Sequence, residues 1–143
     1  MPAYCIGLLA TFSTLLLATV APGWAASINI VAIGASTTAG NKVGTDAAYP
    51  AQLQAMLRAK GYDVNIRNQG VSGATSASMV GWADAVPLDT RLVLLQIARS
   101  NDSKHGIAPA QTAANRETIV KHLRARRIRV LFVNRHVSSR ELA

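Results

Sequence analysis

The order in which short apolar runs and longer amphipathic stretches alternate constrains this chain more than any other feature. A strand buried on both faces reads as a continuous apolar run, whereas a helix lying on a sheet shows an apolar stripe at helical spacing. Residues Ile28 to Ile33 (INIVAI) read as a strand that ends at Gly34. Tyr49 to Lys60 reads as a helix with Leu53, Met56 and Leu57 on one face, Pro50 in its first turn and Gly61 at its C-cap. Tyr62 to Arg67 alternates as a second strand, and a short helix through Met79, Trp82 and Val86 stops at Pro87. Arg91 to Ala98 (RLVLLQIA) is a third strand. Pro109 to Arg126 is a long helix with Ala113, Val120 and Leu123 inward, and Ile128 to Val133 is a fourth strand. This β-α-β-α-β-α-β order requires right-handed crossovers and predicts an α/β fold, a three-layer α/β/α sandwich around a parallel sheet.

The first residues stand outside that series. Ile6 to Val20 is an uncharged Leu- and Ala-rich run followed by Pro22, Gly23, Ala25 and Ala26, the layout of an apolar core and a peptidase site. Residues 1–26 are therefore expected to be a signal peptide and the protein to be secreted or periplasmic. The rival reading is an uncleaved membrane anchor, although the run is shorter than the ~20 apolar residues a spanning helix prefers. Cys5, the one cysteine, lies in this leader, so the remainder can form neither a disulfide framework nor a thiolate metal site.

The net charge of +8 is concentrated at one end. From Arg116 onward Arg116, Lys121, Arg124, Arg126, Arg127, Arg129, Arg135 and Arg140 face only Glu117 and Glu141. That distribution suits a solvated helix face and a basic tail, and does not call for a specific nucleic-acid partner. A non-catalytic protein that binds acidic surfaces through this end is the alternative to an enzyme.

In a parallel sheet, chemistry collects at the carboxyl ends of the strands. Three segments follow three strand ends here: Gly34 to Gly40 (GASTTAG), Asn68 to Thr75 (NQGVSGAT), and Arg99 to Asp102 (RSND). Acyl transfer needs a hydroxyl on a sharp strand-to-helix turn and donors for the developing oxyanion. Ser36 meets the first need, and the backbone of Gly73 and the side-chain amide of Asn101 meet the second. A phosphate loop does not fit, because Gly40 falls one place late and Asn41 separates it from Lys42. The Gly70 to Gly73 string follows a strand rather than joining two helices, as the KH motif requires. Thr38 replaces the second glycine of G-x-S-x-G, which argues against an ordinary α/β-hydrolase.

Taken together, VAIGASTTAG resembles the nucleophile block of the SGNH (GDSL-type) hydrolases, NQGVSGATS their glycine block and SND their G-x-N-D block. The likeness extends from Ile28 to about Val133 and is to the branch of acyl-thioesterases, lysophospholipases and arylesterases. It implies a flavodoxin-like fold lacking its last elements, with residues 27–133 as the hydrolase domain and 134–143 as an atypical basic tail. It further implies Ser36 as nucleophile, with Gly73 and Asn101 completing an oxyanion hole alongside the Ser36 N–H. The substrate would be a small acyl ester or thioester, and no metal or organic cofactor is implied. Three positions depart from the pattern: Ala35 stands in place of Asp, Ala74 in place of Asp or Asn, and Arg99 in place of Gly. The family takes its base from a D-x-x-H block near the C-terminus, well beyond the fourth strand, and no such block follows Val133 here. His122 lies inside the basic helix, His105 lies four residues after Asn101 where no family pattern assigns it a role, and His136 has Val133 where the Asp belongs. Impaired hydrolysis is therefore expected, as is self-association through an exposed fourth strand; a frameshifted or prematurely ended reading frame would account for the tail.

Overall fold

A computed structural model describes residues 27–134; the expected signal peptide and most of the basic tail lie outside the described residues. The elements are β1 (Ile28–Gly34), α1 (Ser36–Ala39), α2 (Tyr49–Ala59), β2 (Val64–Gly70), α3 (Ser76–Asp84), β3 (Thr90–Leu95), α4 (Arg99–Lys104), α5 (Pro109–Ala125) and β4 (Arg129–Phe132). A 3-10 turn at Thr45–Ala47 leads into α2. The four strands form one parallel sheet in the order β2-β1-β3-β4.

The period-two alternation of the strands divides the core between two faces. Val31, Ile33, Val93 and Leu95 face α3 and α5, where they meet Met79, Ala83, Ile119 and Leu123. Ile30, Ala32, Ile66 and Leu94 face the opposite way, towards Tyr49, Leu53 and Leu57 of α2. The expected three layers are thus present, with β1 buried on both faces because it lies between β2 and β3.

Two helix faces differ from the sequence expectation. Met56 is 60% exposed, because α2 meets the sheet along the i, i+4, i+8 stripe of Tyr49, Leu53 and Leu57. In α5 the buried positions are Thr112, Asn115, Ile119 and Leu123, so Ala113 is not part of the inner set and Val120 only borders it. Polar residues tolerate that burial because each is hydrogen-bonded, as described below. The third strand also ends at Leu95 rather than Ala98, since Gln96 turns its amide inward.

The two edges of the sheet are finished differently. Along β2, Gln54 Oε1 accepts from the Ile66 N–H at 2.6 Å and Arg58 Nε donates to the Val64 carbonyl at 2.9 Å, so side chains of α2 satisfy the outer backbone. Among the described residues no strand pairs with the far edge of β4. There Leu131 is 55% and Phe132 44% exposed.

Candidate functional site

The Ser36 segment is held by its neighbours on both sides. The Gln96 N–H donates to the Ile33 carbonyl at 2.9 Å, and its side-chain Oε1 accepts from the Ala35 N–H at 3.1 Å and from the Thr38 hydroxyl at 3.4 Å. Thr38 is fully buried and also meets the Tyr49 hydroxyl at 3.4 Å. From the other side, Asn68 Nδ2 donates to the Thr38 carbonyl at 2.7 Å while Asn68 Oδ1 accepts from the Gly70 N–H at 2.9 Å. Ser36 opens the single turn of α1, which closes at Gly40 with φ +81°. Its N–H is one of the first amides of a helix and has no carbonyl a turn earlier to bond.

The second segment is tied to the first and the third to the second. Val71 N–H donates to the Gly34 carbonyl at 3.0 Å. Gly73 follows in the left-handed region at φ +83°, exposed, with open space where a Cβ would stand. Asn101 Nδ2 donates to the Ala74 carbonyl at 2.8 Å, so the side chain of the third segment rests on the loop that carries Gly73. The structure therefore places Ser36, Gly73 and Asn101 in three hydrogen-bonded segments at the carboxyl rim of β1, β2 and β3. RSND lies in the short helix α4, and Arg99, its first residue, is exposed. The cation replacing glycine thus leaves the Asn101 contact undisturbed.

A buried polar network lies beneath this rim, and nothing in the sequence patterns singled it out. Asp102 is 1% exposed; its Oδ1 accepts from the Ser76 N–H at 2.7 Å and its Oδ2 from the Thr112 hydroxyl at 2.6 Å. Asn115 Nδ2 donates to Ser76 Oγ at 2.9 Å, and Gln111 supports Asn115 from one turn earlier. Burial pushes the Asp102 carboxyl up, but hydrogen bonds from Ser76 and Thr112 and the nearby His105 outweigh it and hold the group below its ordinary range. One carboxylate thereby joins the starts of α3 and α5 to α4. The available clue was its position next to Asn101 in the SND string.

His105 is exposed, its Nδ1 2.9 Å from the Asn101 carbonyl. His122 Nδ1 lies 3.0 Å from Asp84 Oδ1, at the C-terminal end of α3 and thus away from the carboxyl rim. His136 lies outside the described residues. Among the described residues no group of three or more His, Cys, Asp or Glu is placed to hold a metal ion.

A parallel three-layer α/β protein with a serine at the start of a helix after an inner strand, in a segment hydrogen-bonded to the next strand-end segment, has the layout of a hydrolase of this kind. The chain matches the GDSL-like lipase/acylhydrolase family over residues 32–141 and belongs to that family. It is 31% identical over 111 residues to the esterase TesA of Pseudomonas aeruginosa, covering 76% of this chain and 55% of that protein. The fold is similar to AlinE4, an SGNH-hydrolase family esterase, with a TM-score of 0.67 and 33% identity over 74% of this chain and 58% of that one. A crystal structure of TesA gives a TM-score of 0.69 at 28% identity, covering 78% of this chain and 63% of the other. The chain thus spans little more than half the length of these relatives.

Proposed function

We propose that this chain carries the nucleophile and oxyanion-hole portion of a secreted serine ester or thioester hydrolase, with residues 1–26 as its export signal. The observation that supports this reading is the chain of contacts from Gly34 to Val71 and from Ala74 to Asn101, which ties together the three segments that carry Ser36, Gly73 and Asn101. Ser36 Oγ attacks the acyl carbonyl, and the carbonyl oxygen, now negative, is received by the N–H groups of Ser36 and Gly73 and by the Asn101 amide. Asn101 can serve while holding Ala74, because its NH2 has two hydrogens and that contact uses one. The Ala35 N–H is not a candidate donor, since Gln96 occupies it. Each donor contributes about 3 kcal/mol to the transition state.

The weak step is removal of the Ser36 proton. A neutral serine hydroxyl is a poor nucleophile without a base, and no D-x-x-H block follows the fourth strand in the sequence. The isolated chain is therefore expected to turn over activated esters slowly. Purified protein should be labelled at Ser36 by a fluorophosphonate, with p-nitrophenyl acetate and butyrate hydrolysed weakly and the Ser36→Ala variant showing neither reaction. Labelling that survives Ser36→Ala would remove the assignment of the nucleophile. Rapid turnover dependent on Ser36 would instead show that another base serves, and His105→Ala would then be the variant to compare.

A further inference from the structure

We propose that Gln96, Thr38 and Tyr49 form a clamp that positions the Ser36 turn for attack on an acyl carbonyl, with Gln96 holding the turn directly and Tyr49 acting through Thr38. The proposal rests on Ser36 being the nucleophile. The hydrogens of this cluster follow from what each group can donate. The Ala35 N–H can only donate, so the Gln96 atom 3.1 Å from it is the amide oxygen, Oε1. That oxygen only accepts, so the Thr38 hydroxyl, 3.4 Å away, donates to it and spends its one hydrogen. Towards Tyr49, also at 3.4 Å, Thr38 Oγ1 is therefore the acceptor and the phenol the donor. Burial pushes the Tyr49 phenol up, so it keeps the proton it gives. The result is one directed chain, from Tyr49 on α2 through Thr38 on α1 to Gln96 just past β3.

Gln96 Oε1 takes a hydrogen from Ala35 on one side of Ser36 and from Thr38 on the other, and so fixes the serine between them. Its own N–H is bonded to the Ile33 carbonyl at 2.9 Å, which roots the clamp in the sheet. Gln96 is 5% exposed and Thr38 fully buried, so water does not compete for these contacts. Space is reserved for them as well. A Cβ on Gly34 would lie 2.0 Å from Thr38 Oγ1 and 2.9 Å from Gln96 Oε1. Gly34 is not among the glycines with positive φ, so its missing side chain makes room for the clamp and does not serve a backbone angle. Such placement matters to chemistry, because a displacement of about 1 Å at a reacting group can cost about a hundredfold in rate.

The test is the rate of fluorophosphonate labelling at Ser36 in the whole chain, read below the melting transition of every variant. Gln96→Met removes the shared acceptor, Thr38→Val removes a hydroxyl but keeps the shape, and Thr38→Ser keeps the hydroxyl but loses the methyl. Gln96→Met and Thr38→Val should each lower the limiting labelling rate about tenfold and leave the half-saturating reagent concentration within about twofold. Tyr49→Phe should lower the rate by a smaller factor, and Thr38→Ser should recover most of it. Gln96→Met combined with Thr38→Val should add little to either alone, because both empty one clamp. Labelling at the wild-type rate in Gln96→Met or Thr38→Val overturns the proposal and leaves the nucleophile assignment intact. A Thr38→Ser chain slower than Thr38→Val would assign Thr38 to packing and also overturn it, and this pair carries the test independently of how Gln96→Met folds. A wild-type chain that is not labelled at all would remove Ser36 as the nucleophile, and the proposal with it.

Discussion

Asp102 ties the start of α3 and the first turn of α5 to α4 beneath the rim. Its carboxyl is held below the ordinary range, so the stability it contributes is complete above the unfolded aspartate value of about 4 and is lost as pH falls through the lower folded value. Replacement by Asn keeps the shape but weakens two charge-assisted hydrogen bonds, and should cost about 1–3 kcal/mol at neutral pH. Melting curves across pH should show the wild-type advantage over Asp102→Asn shrinking below pH ~4; an advantage that stayed constant would deny the carboxylate this role. The two glycines of the NQGVSG string make a second contrast. A Cβ on Gly70 would lie 2.2 Å from the Ala39 backbone nitrogen, so Gly70→Ala should push α1 from the sheet and cost about 2–3 kcal/mol in denaturant melts. A Cβ on Gly73 would meet nothing, and only its positive φ opposes Gly73→Ala, at a cost of about 1 kcal/mol. The sequence places both glycines at a strand end but does not separate close packing from backbone angle, because that distinction depends on Ala39, thirty-one positions earlier.

At the scale of elements, the strands and crossover helices were legible because each apolar run is short and bounded, as at Gly34 and Pro87. What the sequence concealed was which stripe of a weakly amphipathic helix turns inward. Met56 is an apolar residue on the outside and Asn115 a polar one on the inside, and both follow from partners supplied by other elements. The end of α3 is a further case. Its last carbonyls are received by Arg126, which reaches from the end of α5 to the carbonyls of Ala83 at 2.8 Å, Asp84 at 3.2 Å and Val86. A guanidinium at a helix C-terminus both fills orphan acceptors and opposes the helix dipole. Arg126→Ala should lower stability by about 1–2 kcal/mol, and Arg126→Lys should recover only part of it, since one ammonium cannot span three carbonyls. Full recovery by lysine in thermal melts would reduce the effect to charge alone.

Among the described residues, the sheet is closed at β2 by side chains of α2, packed through β1 and β3, and ends at β4. Hydrogen exchange should follow that gradient, slowest at Val31 to Ile33 and fastest at Val130 and Phe132; uniform protection across the four strands would contradict it. The three segments of the candidate site could be anticipated from strand order, whereas the supporting network could not, because it is built by side chains of α3, α4 and α5 that lie far apart in the sequence. The central position of β1 also governs how the protein is assembled. The first of the described strands is bordered on one side by β2 and on the other by β3, whose Leu95 pairs with Ile33 only after sixty-two further residues have been made. Synthesis therefore outruns the middle of the sheet, and the serine at its tip acquires its setting only when the third strand arrives.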